Sequence, residues 1–135
     1  MPALEPLLGW RVVATPEAID RARWAGDDVV VVRFAPDEVF GIGAAGVEID
    51  DPEAVAVAET GFAGIRLSGA DLARVAGHVD WALPTEPGVL AQGKIAGVPA
   101  RIRTGDPAAR PSAAPALLVA PTAYTRDLEE RLGWR

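Results

Sequence analysis

Apolar and polar positions alternate most regularly between residues 90 and 103. There Leu90–Ile95 and Val98–Arg103 flank Ala96-Gly97, a dipeptide suited to a two-residue hairpin loop. Pairing Ile95 with Val98 gathers Ala91, Gly93, Ile95, Val98, Ala100 and Ile102 on one face. The other face then carries Leu90, Gln92, Lys94, Pro99, Arg101 and Arg103. A slip of one residue would scramble this separation, so the register is well specified: one face belongs to a core, the other is wet and basic.

A second hairpin is expected at Val29–Phe34 and Val39–Ile42, joined by Ala35-Pro36-Asp37-Glu38, where Pro36 presets a type I turn. If Phe34 sits opposite Val39, then Val30, Val32, Phe34, Val39 and Gly41 share a face, and Val29, Val31, Phe40, Ile42 and Arg33 share the other. Both faces are apolar, so something must cover the second: a helix, the amino-terminal residues, or another chain. Ala54–Glu59 and Phe62–Leu67 read as two further strands around Thr60-Gly61, and Ala116–Ala120 as a short buried strand.

Helix signals punctuate these strands. Thr15-Pro16-Glu17 offers a cap, a proline for the first turn and an acid at the positive end of the dipole, with Gly26-Asp27-Asp28 as the expected stop. Ser68 and Asp71 form a capping-box pattern ahead of a Leu72, Val75, Ala76, Val79 stripe. Pro121-Thr122 opens a last helix aligning Tyr124, Leu128 and Leu132, with Gly133 as its stop. Residues 1–12 read as an extended arm and 104–114 as a flexible Pro/Ala/Gly loop. The order of elements predicts an α+β fold, an antiparallel or mixed sheet of hairpins with helices packed on it, as a single domain over residues 1–135.

Composition removes several function classes. The 135 residues are 50% hydrophobic and 24% charged, enough for a core, so global disorder is excluded. With no cysteine there is no thiolate chemistry, disulfide or Cys-ligated metal, and the single histidine, His78, makes no His-rich site. Net charge −6 is the wrong sign for gripping nucleic acid. One lysine against twelve arginines, with no asparagine, reads as a high-GC bacterial codon bias. The first ten residues lack the basic region of a secretory signal, and the apolar stretch 112–121 is about half of the ~20 residues a membrane span needs. A soluble cytoplasmic chain is expected.

Candidate chemistry is sparse. Gly41-Ile-Gly43-Ala-Ala-Gly46 has dinucleotide-loop spacing, but Val47-Glu-Ile-Asp-Asp-Pro52 leaves no room for the helix whose N–H groups would face a pyrophosphate. Asp27-Asp28 and Asp50-Asp51 are adjacent pairs beside turns, where Asp usually bonds backbone N–H. His78 follows Gly77 at a helix end, a place for a cation against the dipole. Gln92, Lys94, Arg101 and Arg103 form the strongest exposed polar group, suited to a carboxylate, a phosphate or an acidic partner. The apolar Val31, Phe40 and Ile42, with Trp10 and Trp134, are candidate interface residues, Trp134 being the tryptophan expected to be exposed or docked on another chain. No catalytic residue, metal ligand or cofactor site is assigned.

Four segments carry a resemblance: Gly61-Phe-Ala-Gly-Ile-Arg-Leu-Ser-Gly-Ala-Asp71, Val79-Asp80-Trp-Ala-Leu-Pro84, Ala91-Gln92-Gly-Lys-Ile-Ala-Gly-Val-Pro99 and Leu117-Leu-Val-Ala-Pro121. In this order they resemble the gamma subunit of heterotetrameric sarcosine oxidase and, more distantly, the folate-binding fold of the glycine-cleavage T-protein (aminomethyltransferase). Arg33-Phe-Ala-Pro-Asp-Glu38 is similar to an earlier segment of the same family, so the likeness covers about residues 33–42 and 62–132. It implies a T-protein-like fold and a non-catalytic accessory subunit docking on larger oxidase or aminomethyltransferase-type chains, which carry the flavin, nicotinamide and folate. Two function classes follow: a module that works by contact with a protein partner or a second copy, and a small-ligand binder holding a folate-like or carboxylate ligand at Gln92, Lys94, Arg101 and Arg103.

Overall fold

A computed structural model describes residues 3–84, 86, 88–105 and 116–134. Its elements are β1 (Glu5–Val13), α1 (Pro16–Asp20), β2 (Arg23–Ala25), β3 (Val30–Ala35), β4 (Glu38–Ile42), β5 (Gly46–Glu48) and β6 (Val55–Leu67). There follow α2 (Gly69–Ala76), β7 (Leu90–Ile95), β8 (Val98–Thr104), β9 (Ala116–Pro121), a 3-10 turn at Thr122–Tyr124 and α3 (Thr125–Arg131). The fold is α+β, with a mostly antiparallel seven-stranded sheet in the order β3-β4-β1-β6-β9-β8-β7 and a separate β2-β5 pair. Two compact units divide the chain: Leu7–Thr60, and the residues through Pro6 together with those from Gly61 onward. The loop expected at 104–114 gives Thr104 to β8, and its residues 106–114 lie outside the described residues.

In the unit Leu7–Thr60, α1 starts as its sequence dictates: Thr15 is the cap, its Oγ1 accepting from Ala18 N, with Pro16 in the first turn. The helix stops at Asp20 rather than near Gly26, because Arg23–Ala25 is drawn into β2 against β5. The expected extended arm is sheet from Glu5 onward: β1 pairs antiparallel with β4, from Gly9↔Ile42 to Val13↔Glu38. Val12, Ala14, Ala18, Ile19 and Val39 form the core of this unit, with Trp24, Val47, Ile49 and Ala54 half-buried around it. Each large aliphatic so buried stabilises the fold by about 1.5–3 kcal/mol. Arg33 ties α1 to the β3–β4 turn, donating to Pro16 O at 3.1 Å and to Pro36 O, and pairing with Asp20.

The β3–β4 hairpin corrects the sequence reading. Val32 pairs with Phe40 and Val30 with Ile42, and the register shifts between Arg33 and Ala35. A bulge at Phe34 therefore places Phe40 and Ile42 with Val30 and Val32, while Val31 shares the opposite face with Arg33, Val39 and Gly41. Val31, Phe40 and Ile42 do not form one apolar face. Phe40 is fully buried, its ring 6.2 Å from that of Phe34.

From Gly61 the chain follows its pattern closely. Thr60-Gly61 is no turn: β6 runs unbroken for 13 residues, its second half pairing with β9 from Phe62↔Pro121 to Leu67↔Ala116. Ser68 and Asp71 make both bonds of the capping box. Ser68→Ala is expected to cost about 1 kcal/mol in a denaturant titration followed by far-UV circular dichroism. The β7–β8 hairpin has the expected register, Ile95↔Val98 through Leu90↔Arg103, and Ala96 and Gly97 both take positive φ (50° and 81°), as a type I′ turn requires. Leu67, Val75, Ile95, Ile102, Leu118, Leu128 and Leu132 are fully buried in one core. Tyr124 leaves the expected stripe and is 42% exposed, because the 3-10 turn precedes α3. Trp134 corrects its expectation: Gly133 turns the chain at φ +74°, Trp134 N–H reaches Glu129 O at 2.8 Å, and the ring is 5% exposed inside the core.

Candidate functional site

Glycines and aspartates with functional spacing turn out to serve the scaffold. Gly41, first of the dinucleotide-like spacing, faces the indole of Trp24 so closely that a Cβ there would lie 2.3 Å from the ring. The segment continues into β5, with no helix to present N–H groups. Asp51 accepts from Thr15 N at 3.1 Å and Glu53 N at 2.9 Å, while Asp50 faces Arg23 at 3.5 Å. Hydrogen bonds from Arg23 to Glu48, first, and then to Asp50 raise the guanidinium pKa above its ordinary value. Among the described residues no group of three His, Asp or Glu is placed to hold a metal ion.

The basic hairpin face is partly assembled. Gln92 and Arg101 are cross-strand partners, and Arg101 Nε donates to Gln92 Oε1 at 2.8 Å. The Arg101 guanidinium also lies over Phe62, 5.7 Å from the ring centroid. Gln92, Lys94 and Arg101 line a shallow hollow of about 250 Å³ with Gly93, Pro99 and Ala100. Arg103 does not line it and faces its neighbour's carbonyl, Thr104 O, at 3.5 Å. The hollow is smaller than the ~300 Å³ at which ordinary ligand pockets begin.

The interface candidates scatter. Trp134 and Phe40 are buried, Ile42 and Trp10 are half-buried, and Val31 is 37% exposed on the face opposite Phe40 and Ile42. A different apolar surface is present within Leu7–Thr60. All four residues from Val55 to Ala58 in β6 are exposed, with Val55 57% and Val57 47% exposed, and Val13 on β1 is 42% exposed. Arg11 donates to Glu38 at 2.9 Å and to Glu59 at 3.1 Å. That contact puts Arg11 and Glu59 on one sheet face, and alternation along each strand puts Val13, Val57 and Val55 there too. Hydrogen bonds to Glu38, the larger effect, and to Glu59 raise the Arg11 pKa above its ordinary value, against a smaller desolvation that lowers it. An ion cluster beside three exposed valines is the most developed surface feature of this unit. The apolar alternation of Val55 and Val57 was visible in the sequence, but the turn expected at Thr60-Gly61 hid their place in a long strand.

Comparison with known proteins finds no counterpart: no family model, no curated protein and no solved structure matches the chain. No helix among the described residues is long and apolar enough to cross a membrane.

Proposed function

We propose that this chain is a non-catalytic accessory subunit or interaction module, similar to the gamma subunit of heterotetrameric sarcosine oxidase and sharing its T-protein-like fold. It docks on a larger oxidase or aminomethyltransferase-type protein through the β1/β6 face that bears Val13, Val55 and Val57. One observation carries the reading. Of the six large hydrophobic residues exposed among those described, Val13, Val55 and Val57 share one sheet face within Leu7–Thr60, beside the Arg11–Glu38–Glu59 cluster. Concentrated apolar exposure marks a surface that another protein covers. Covering the exposed half of each valine adds about 1 kcal/mol of burial. The Arg11–Glu38–Glu59 cluster carries two carboxylates for one guanidinium, and the chain's net charge is −6, which suits a partner face bearing Arg or Lys. The reading assigns this chain no catalytic residue and no cofactor of its own.

Val57→Lys places a charge in the middle of the proposed contact and is expected to lower partner affinity at least tenfold, about 1.4 kcal/mol. Because Val57 is 47% exposed, stability should stay within about 0.5 kcal/mol of the parent. Tagged parent and variant are purified from the native host and their bound proteins compared by mass spectrometry, with the mass of the free chain measured by light scattering. A larger oxidase-type chain retained by the parent and lost by the variant is the expected result. Retention of the same proteins by both, or capture only of a second copy of the chain, contradicts it.

A further inference from the structure

The seven-stranded sheet ends on β3 and β7, and both of these edges are blunted. On β3 the register shifts between Arg33 and Ala35, and Arg33 puts a charge in mid-strand. On β7 the exposed Gln92 and Lys94 alternate with smaller residues. Lys94 lies opposite Pro99, which has no N–H to give, and its carbonyl accepts from the indole Nε1 of Trp81 at 3.1 Å. Gly93 is what admits that ring, since a Cβ there would lie 2.7 Å from the same Nε1. A bulge, charged side chains and a covering indole are the ordinary means by which a sheet refuses a further strand.

A third edge has none of them. The sheet neighbours of β6 are β1 and β9, and β9 pairs with it only from Phe62 onward. On the side away from β1, no strand among the described residues pairs with residues 55–61. The sequence there is Val55-Ala-Val-Ala-Glu-Thr60, without proline, lysine or arginine. Val55, Ala56, Val57, Ala58 and Thr60 are exposed, so both faces of this stretch are open. Its one charge, Glu59, is drawn to Arg11 at 3.1 Å. A β-branched, extended stretch whose N–H and C=O groups on one side have no paired strand is a template for another strand.

We propose that this edge is completed by an extended segment of the docking partner, with Lys or Arg opposite Glu59. The inference rests on the docking reading and adds main-chain pairing to the valine contact. An extended chain is what offers N–H and C=O groups at the spacing of a strand. Glu38 and Glu59 share the one guanidinium of Arg11, at 2.9 and 3.1 Å, so the cluster keeps a net negative charge that a cation on the incoming strand neutralises. A second copy fits less well, since it brings a net charge of −6 and its own Glu53 and Glu59 to the same seam. Alternate side chains of the incoming strand lie beside Val55 and Val57, so edge and face are covered together.

The probe is the peptide acetyl-Thr-Lys-Thr-Val-Thr-Val-amide, which antiparallel pairing sets with its Lys opposite Glu59 and its Val residues opposite Val57 and Val55. It is titrated into the full chain and followed by amide chemical shifts and hydrogen exchange. Saturable binding is expected, with shifts centred on residues 55–61 and slowed exchange at alternate amides there, the mark of new cross-strand bonds. Replacing the peptide Lys by Glu should weaken binding about fivefold, and in Glu59→Gln that preference should fall below about twofold. Two analogues carry N-methyl groups on alternate residues; one should lose binding and the other keep it, because one edge of the peptide faces β6 and the other faces water. No saturable binding at several millimolar, equal effects of the two analogues, equal binding of the Glu peptide, or shifts centred on β3 or β7 overturns the proposal. So does a chain that is dimeric by light scattering with those amides already protected, which makes a second copy the occupant. Docking through the valine side chains keeps its own test in Val57→Lys, so the two readings can fail separately.

Discussion

Trp134→Ala is expected to lower the unfolding free energy by about 3–5 kcal/mol, the usual cost of emptying a large aromatic site in a packed core. The side chain is 5% exposed among Leu128, Leu132 and the rest of the core of its unit. Its backbone N–H is bonded to Glu129 O, so the last turn of α3 and the indole are held together. Denaturant unfolding followed by near-UV circular dichroism measures the loss. A change below about 1 kcal/mol, the range of exposed positions, would return Trp134 to the surface role its sequence context suggests.

Gly41→Ala is expected to cost about 2–3 kcal/mol in the Leu7–Thr60 unit, within the range for overpacking a close-packed contact. The added methyl meets the Trp24 ring at 2.3 Å, and the ring is backed by the β2–β5 pair. Opening the contact isolates the cause: in a Trp24→Leu background the same substitution should cost less than about 1 kcal/mol, a coupling that independent sites do not show. Equal penalties in both backgrounds would mean that Gly41 is needed for something other than room for the indole. The double cycle also bears on the Gly41-Ile-Gly43 spacing, which packing against Trp24 explains without a nucleotide.

What was legible in the chain follows the range over which each signal acts. Thr15 and Ser68 announced their helices because a cap needs only its own first turn. The β7–β8 hairpin could be registered residue by residue, since Ala96-Gly97 sets the loop length and six alternating positions per strand penalise any slip. The β3–β4 hairpin has equally clear strands but apolar residues on both faces, so a one-residue bulge at Phe34 leaves no polar residue misplaced and no trace in the pattern. Thr60-Gly61 carries a turn signal that the pairing of Phe62–Leu67 with β9 overrides. Trp134 was misplaced because its direction depends on Gly133 adopting a positive φ and folding the chain back, a tertiary outcome.

The candidate surfaces divide in the same way. Gln92, Lys94 and Arg101 were visible as one face because they sit on the well-registered hairpin, and the structure brings them around a common hollow. Arg11, Glu38 and Glu59 are up to 48 residues apart, so only the β4-β1-β6 order makes them neighbours.

The contact surface is tested most directly by hydroxyl-radical footprinting of the chain alone and in the assembly purified from its host, read by mass spectrometry at single side chains. Val13, Val55 and Val57 should lose most of their reactivity in the assembly, while Tyr124 and Pro99, exposed in the other unit, keep theirs. Unchanged reactivity at all three valines, with protection instead around Pro99 and the β7–β8 hairpin, would contradict docking through the β1/β6 face.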